Sequence, residues 1–216
     1  MEGSINEANG GRTTLERPSI GVIAVAYENI SAVEMFIGSF KVQDNPNWKL
    51  FLIHDGPPSV EYRNVIDGRY PNDDPRVIPM ATPRRYNDWG HSLRRLALND
   101  QLTKEYPYTL ITNADNYYAP CFVRYMLQAT SGMPYLVYCN MLHDMKYETS
   151  KSYKPVSVSL KYCEVDIGSV IVRTDIAQKN GWRSLAMNSD WTFIEDIMHQ
   201  DLFWATKVDR TLFVHN

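Results

Sequence analysis

Tyr108-Thr109-Leu110-Ile111-Thr112-Asn113-Ala114-Asp115-Asn116 is the stretch on which the fold turns. Its first half is β-branched and apolar, the composition of a buried strand. It then breaks into the polar tetrad Asn113 to Asn116, before Pro120 marks a new element. Polar groups at the carboxyl end of a buried strand occupy the place where open α/β sheets bind ligands. An acidic side chain there, beside amides, suits a hard divalent cation that also binds phosphate oxygens. The same residues also suit an Asx-rich turn that ends a strand and does nothing more. The rest of the chain has to choose between the two.

Working towards the amino terminus, strands and helices alternate. Ile20 to Ala26 is an unbroken apolar run, as in a strand buried on both faces. Ser31 and Glu34 make a capping-box pattern opening a helix through about Phe40. Lys49 to His54 is a second strand, and Ser59 can cap a helix reaching roughly Tyr70. Arg76 to Met80 is a short third strand whose Pro79 argues for a sheet edge. Asn87 or Asp88 then caps a helix from about Trp89 to Glu105, which leads into Tyr108. This alternation predicts right-handed βαβ units on a mostly parallel central sheet flanked by helices.

Towards the carboxyl terminus, the pattern predicts a helix from about Ala119 to Thr130 and a strand from Tyr135 to Met141. His143 to Glu164 is polar, rich in Lys and Tyr and weakly patterned, reading as a functional loop or a pair of small strands. Asp166 to Arg173 restores a strand, and Thr174 or Asp175 caps a short helix stopped by Gly181. Thr192 and Glu195 form another capping box, which would place Asp196 in the first turn of the last helix. Lys207 to Asn216 reads as a closing strand.

With 216 residues, 44% hydrophobic and 22% charged, the chain is long enough for one domain with a sizeable core. Met1 to about Arg17 is polar and aperiodic and is expected as a flexible tail, leaving 18–216 as the single domain. A net charge of -3 gives no footprint for nucleic acid or anionic membrane. No apolar run approaches a membrane span, and no hydrophobic leader opens the chain. Cys121, Cys139 and Cys163 are an odd count without metal spacing, so reduced thiols and a cytoplasmic location are expected.

Several motifs, taken in order, resemble the GT-A glycosyltransferases of the family-two, inverting, metal-dependent type. The resemblance covers about Ser19 to His215. Ala26-Tyr27-Glu28-Asn29 resembles that family's opening strand end, which places Ala26, Tyr27 and Glu28 at the nucleotide. His54-Asp55-Gly56-Pro57 is similar to the family's second strand end, with Asp55 at the base. Gly90-His91-Ser92-Leu93-Arg94 sits where the family carries a phosphate-steadying arginine, here Arg94. Asn113-Ala114-Asp115 stands in for the Asp-x-Asp metal motif, with Asn for the first Asp. Asp166-Ile167-Gly168-Ser169 resembles the glycine loop near the donor sugar, which singles out Gly168. Ile194-Glu195-Asp196 matches the motif supplying the base, and His215 falls where the family has a metal-binding histidine.

The resemblance implies a sugar transferred with inversion from a nucleotide-sugar, a UDP-sugar favoured, to a glycan or other hydroxyl acceptor. Asp196 would be the general base and Glu195 its neighbour in the capping box. Asp115 and His215 would hold Mn²⁺ or Mg²⁺, the histidine nitrogen favouring Mn²⁺. Two alternatives stay open: a catalytically silent sugar-nucleotide or glycan-binding module, and a nucleotidyltransferase. A nucleotidyltransferase would need a Gly-rich, cationic loop after the first strand, which this sequence does not have.

Overall fold

β1 (Ile20–Ala26) is buried along its whole length, as its apolar sequence demands of a strand covered on both faces. The computed structural model describes residues 19–64, 74–144 and 153–216. The expected amino-terminal tail, the end of the helix expected to reach Tyr70, and Lys146 and Lys151 of the polar loop lie outside the described residues. β1 pairs in parallel with β2 (Trp48–His54) on one side and β4 (Tyr108–Asn113) on the other. β3 (Val77–Ala81) adds in parallel to β2 at the sheet edge, where Pro79 costs least. α1 (Ile30–Lys41), α2 (Val60–Asn64) and α3 (His91–Asn99) follow the first three strands.

Beyond β4 the sheet changes character. β8 (Val170–Arg173) runs antiparallel to β4 and β6 (Leu136–Asp144) antiparallel to β8. β9 (Ala205–His215) is parallel to β6, and the short β5 (Tyr117–Tyr118) pairs antiparallel with the end of β9. β7 (Tyr153–Val156) folds back on β6, so part of the polar loop is a strand. The sheet order is β3-β2-β1-β4-β8-β6-β9-β5. α4 (Phe122–Gln128), α5 (Thr174–Asn180) and α6 (Ser189–Met198) complete the chain.

Among the described residues two hydrophobic cores form. Phe36, Phe40, Trp48, Tyr118, Phe122 and Phe213 centre one, and Leu93, Ala97, Trp182, Phe193, Ile194 and Ile197 belong to the other. Each Leu, Ile or Phe among them, fully buried, contributes about 1.5–3 kcal/mol.

Register carries the functional consequence. Ala26 pairs with His54 and Val25 with Asn113, so β1, β2 and β4 end together at one edge. β9 is irregular against β6: Cys139 pairs with Val208, but Asn140 pairs with Thr211 and Met141 with Phe213. The Asn140 amide fills the irregularity, donating to Asp209 Oδ1 (2.8 Å) and accepting from the Val158 N–H (3.1 Å).

Four element boundaries depart from the sequence reading. α1 starts at Ile30 behind Asn29 without a side-chain cap, so Ser31 and Glu34 make no capping box. α3 stops at Asn99, short of Glu105, although Asp88 Oδ2 does accept the Ser92 N–H at 3.0 Å near its start. α4 begins late because Tyr117 and Tyr118 are a strand and the Ala119 N–H bonds to Leu212. α6 begins at Ser189, one turn before the Thr192–Glu195 pair. There the Thr192 N–H already bonds to the Asn188 carbonyl at 3.1 Å, and its hydroxyl reaches the same oxygen at 3.3 Å. Thr192 is therefore an interior helical threonine bonded back to residue i−4.

Candidate functional site

The joint end of β1, β2 and β4 opens on a cleft of about 530 Å³, lined among others by Ala26, Tyr27, Asp55, Trp89, Asn113 and Asp115. Asp55 is buried and holds one wall: its two carboxylate oxygens accept the N–H groups of Tyr86 (2.8 Å) and Asn87 (2.9 Å). That clamp fixes a loop in which Asn87, Trp89 and Gly90 all take positive φ. Gly90 is needed there, since a Cβ would lie 2.5 Å from Val25. Arg85 lies over the Tyr27 ring at 3.6 Å and donates to its hydroxyl at 2.9 Å. His54 donates from Nδ1 to the Gly56 carbonyl at 2.8 Å, which leaves Nε2 to accept the Glu28 N–H at 3.4 Å. Glu28 Oε1 in turn accepts the Ser59 N–H at 3.2 Å, so Glu28 serves the strand-end turns.

Behind the cleft lies Arg94, 2% exposed. It donates to the Asn113 Oδ1, to the Trp89 carbonyl (2.9 Å) and to His91 Nδ1 (3.2 Å), and its guanidinium stacks over Trp182 at 5.1 Å. Burial pulls its pKa down, while Asp190, Asp166, Asp88 and Asp115 pull it back up. This cation therefore stands among four carboxylates. The neighbouring Arg95 points elsewhere and donates to the Trp182 (2.9 Å) and Arg183 (2.6 Å) carbonyls, tying α3 to the segment before α6.

Asp190 lies in the first turn of α6. Burial first, then Asp166, pushes its carboxyl up to about 6, against Arg94, His215 and a backbone bond from Ile167. Asp166 caps the 3₁₀ turn Ile167–Ser169, accepting the Gly168 N–H at 2.8 Å. Gly168 packs behind this cap: a Cβ would lie 2.7 Å from Phe213, and its carbonyl accepts from the Tyr118 hydroxyl at 2.9 Å.

His215 ends β9 with Nε2 3.4 Å from Asp166 Oδ2, while its buried Nδ1 has no hydrogen-bond partner. A carboxylate facing one imidazole nitrogen and a bare second nitrogen is the disposition of a metal-ligating histidine. The next residue, Asn216, bonds through its backbone N–H to Asn116 Oδ1 (3.3 Å) and through its side chain to the Asp115 carbonyl. The end of β9 is thus sewn to the Asp115 turn. Among the described residues no three His, Cys, Asp or Glu side chains form a ready-made metal cage. The donor set fits a divalent ion that takes two protein ligands and fills its shell from a ligand's oxygens.

The structure therefore brings Ala26, Tyr27, Asp55, Asn113, Ala114 and Asp115 to one cleft, with Arg94 behind Asn113. Asp196 and Glu195 sit in the second half of α6 rather than its first turn. Asp196 is ion-paired with Arg183. Six helical steps separate it from Asp190, roughly 9 Å along the axis and about 240° around it. Asp190 and Asp166 were not singled out by the sequence reading. Asp-x-Gly at Asp166 was a signal for a carboxylate capping a turn. Asp190 was hidden because Thr192-x-x-Glu195 imitates a helix start one turn downstream.

No protein-family model matches the sequence and no curated protein matches it. Solved structures do match in fold. Staphylococcus aureus TarS 1–349 superposes with a TM-score of 0.71 at 12% identity, over 92% of this chain and 60% of TarS 1–349. Its complex with UDP-GlcNAc gives 0.68 at 13% identity, over 91% and 58%. The mannosyltransferase PcManGT from Pyrobaculum calidifontis, in complex with GDP-Man and Mn²⁺, gives 0.64 at 14% identity, over 93% and 57%. The chain thus spans less than two thirds of the length of these chains, and its fold is that of the GT-A glycosyltransferases. Among its described residues no helix is long and apolar enough to cross a membrane.

Proposed function

We propose that this chain transfers a sugar from a nucleotide-sugar, a UDP-sugar first among candidates, to an acceptor hydroxyl with inversion at the anomeric carbon. The observation that carries the reading is Asp190. It is an ionisable carboxyl in the first turn of α6, within electrostatic reach of Asp166, Arg94 and His215, with its pKa moved to about 6 by burial and Asp166. A general base works best when its pKa lies near the working pH. In this reading we assign the base to Asp190 in place of Asp196, the residue that the family motif points to, and give Glu195 no chemical role.

The acceptor oxygen attacks the anomeric carbon as its proton passes to the Asp190 carboxylate, and the bond from that carbon to the nucleoside diphosphate breaks. The helix amino terminus favours the ionised carboxylate. The Tyr27–Arg85 pair offers the base a flat cationic face, and the Asp55 clamp holds the opposite loop in place. Asp115 and the bare His215 Nδ1 would hold Mn²⁺ or Mg²⁺. Such an ion, when bound, neutralises the charge growing on the leaving diphosphate.

Calorimetry with UDP and GDP in Mn²⁺ and in EDTA, followed by transfer from a panel of labelled UDP- and GDP-sugars, tests the reading. Metal-dependent binding of a nucleoside diphosphate and release of it from a donor are expected. Failure of the chain to bind any nucleoside diphosphate would remove the proposal.

A further inference from the structure

The Arg94–Asn113 contact fixes which way the Asn113 amide faces. A guanidinium carries donors only, so the atom meeting it is the amide oxygen. Arg94 cannot swing away to release that oxygen. It is buried, held by the Trp89 carbonyl and His91 Nδ1, and packed over Trp182. Asn113 nevertheless lines the cleft. With its oxygen turned to the arginine, the polar group it offers the cleft is the NH₂ end.

We propose that Asn113 is a ligand-contact residue that gives an N–H to an oxygen of the bound nucleotide, in place of acting as an acidic metal ligand. The inference rests on the nucleotide-sugar reading and adds to it the sign of one contact. An oxygen that accepts comes from either of two parts of such a ligand, a ribose hydroxyl or a phosphate. In both cases a carboxylate at this position is the wrong group. Asn113→Asp would pair one oxygen with Arg94 and present the other, an acceptor, to the nucleotide.

The test is calorimetry of UDP, 2′-deoxy-UDP and 3′-deoxy-UDP with wild type, Asn113→Ala and Asn113→Asp, each in Mn²⁺ and in EDTA. Asn113→Ala should weaken UDP by roughly tenfold, the loss expected for one good hydrogen bond. The loss should be the same with and without metal, and Asn113→Asp should bind UDP no better than Asn113→Ala. If one deoxy ligand abolishes the difference between wild type and Asn113→Ala, the partner is that ribose hydroxyl. If the difference survives in both, the partner is a phosphate oxygen. Either result supports the proposal. Wild-type affinity in Asn113→Ala, wild-type or tighter affinity in Asn113→Asp, or a loss seen only with Mn²⁺ would overturn it. A wild type that binds no nucleoside diphosphate would overturn the nucleotide reading itself, which separates the two failures. A readout independent of how the variants fold is the Asn113 side-chain NH₂ resonance of the wild type. UDP should shift it, and an unmoved resonance under saturating UDP would also overturn the proposal.

Discussion

The parallel half of the sheet, β3-β2-β1-β4, and the mixed half, β8-β6-β9-β5, contribute to the candidate site in different ways. In the parallel half the cleft is built from places where strands stop: Ala26-Tyr27, Asp55 and Asn113 to Asp115 follow from three strands ending in register. In the mixed half the charged groups come from a 3₁₀ turn, a helix start and the last residue of an irregular strand. The first arrangement is local, repeating one strand-end rule. The second is assembled by long-range packing, in which Asp166, Asp190 and His215 meet only because three separate elements come together. We assign nucleotide binding to the first half and proton transfer to the second.

The most severe way to break that division is Asp190→Asn. Removing a general base costs about 10²–10⁴-fold, so transfer should fall by that order while UDP affinity changes by less than roughly tenfold. Asp196→Asn, whose side chain pairs with Arg183, should leave turnover within about threefold. Steady-state transfer beside calorimetry measures both, and the opposite pattern would return the base to Asp196.

Asp115→Ala strikes the point where the halves touch. With Asp115 holding the ion as proposed, its loss should remove most of the Mn²⁺-dependent gain in UDP affinity, about tenfold or more. UDP titrations in Mn²⁺ and EDTA read it directly.

The pH profile sharpens the comparison without a mutation. Asp190 must be ionised to take a proton, and burial and Asp166 place its pKa at about 6, with Arg94, His215 and the Ile167 N–H opposing. Transfer should therefore fall roughly tenfold for each pH unit below that value and flatten above it. The measurement is kcat against pH, with UDP affinity followed in parallel as the control for the parallel half.

Smaller effects belong to packing. Gly168→Ala pushes a Cβ to 2.7 Å from Phe213 and 3.0 Å from Asp166 Oδ1, and should cost about 1–3 kcal/mol in urea unfolding. Arg85→Ala removes an exposed stack on Tyr27 worth about 0.5–1 kcal/mol, a two- to fivefold loss in UDP affinity at about 0.6 kcal/mol per RT.

The same contrast explains how much could be read from the chain. β1 and β4 were legible because parallel, doubly covered strands must be apolar from end to end, and their polar stops expose the site. Ser59 was legible as a cap, and the Tyr62 N–H does bond to its hydroxyl at 3.1 Å. The two-residue β5 was not, because Tyr117 and Tyr118 have no alternation to display and are fixed by β9, far away in sequence. Nor was the start of α6. Its position is set by burying Ser189, Phe193, Ile194 and Ile197 together, whereas Thr192 and Glu195 imitate a cap locally. Arg94 is legible in the sequence by motif alone; its burial among carboxylates is invisible to a pattern of single residues.

The slip between β6 and β9 has an arithmetic of odd and even. Before it, Cys139 lies beside Val208; after it, Met141 lies beside Phe213 and His143 beside His215. Side chains alternate along a strand, so an odd number of extra residues hands one face of β9 from the even positions to the odd ones. The segment from Asp209 to Leu212 therefore acts as a counter. Substitutions in its exposed positions leave the count alone, whereas deleting a single residue would present Asn216 where His215 now meets Asp166. Deleting two would preserve the parity and shift the histidine along the strand by one pleat. At this place the length of the chain, more than its chemistry, determines whether the imidazole reaches the site.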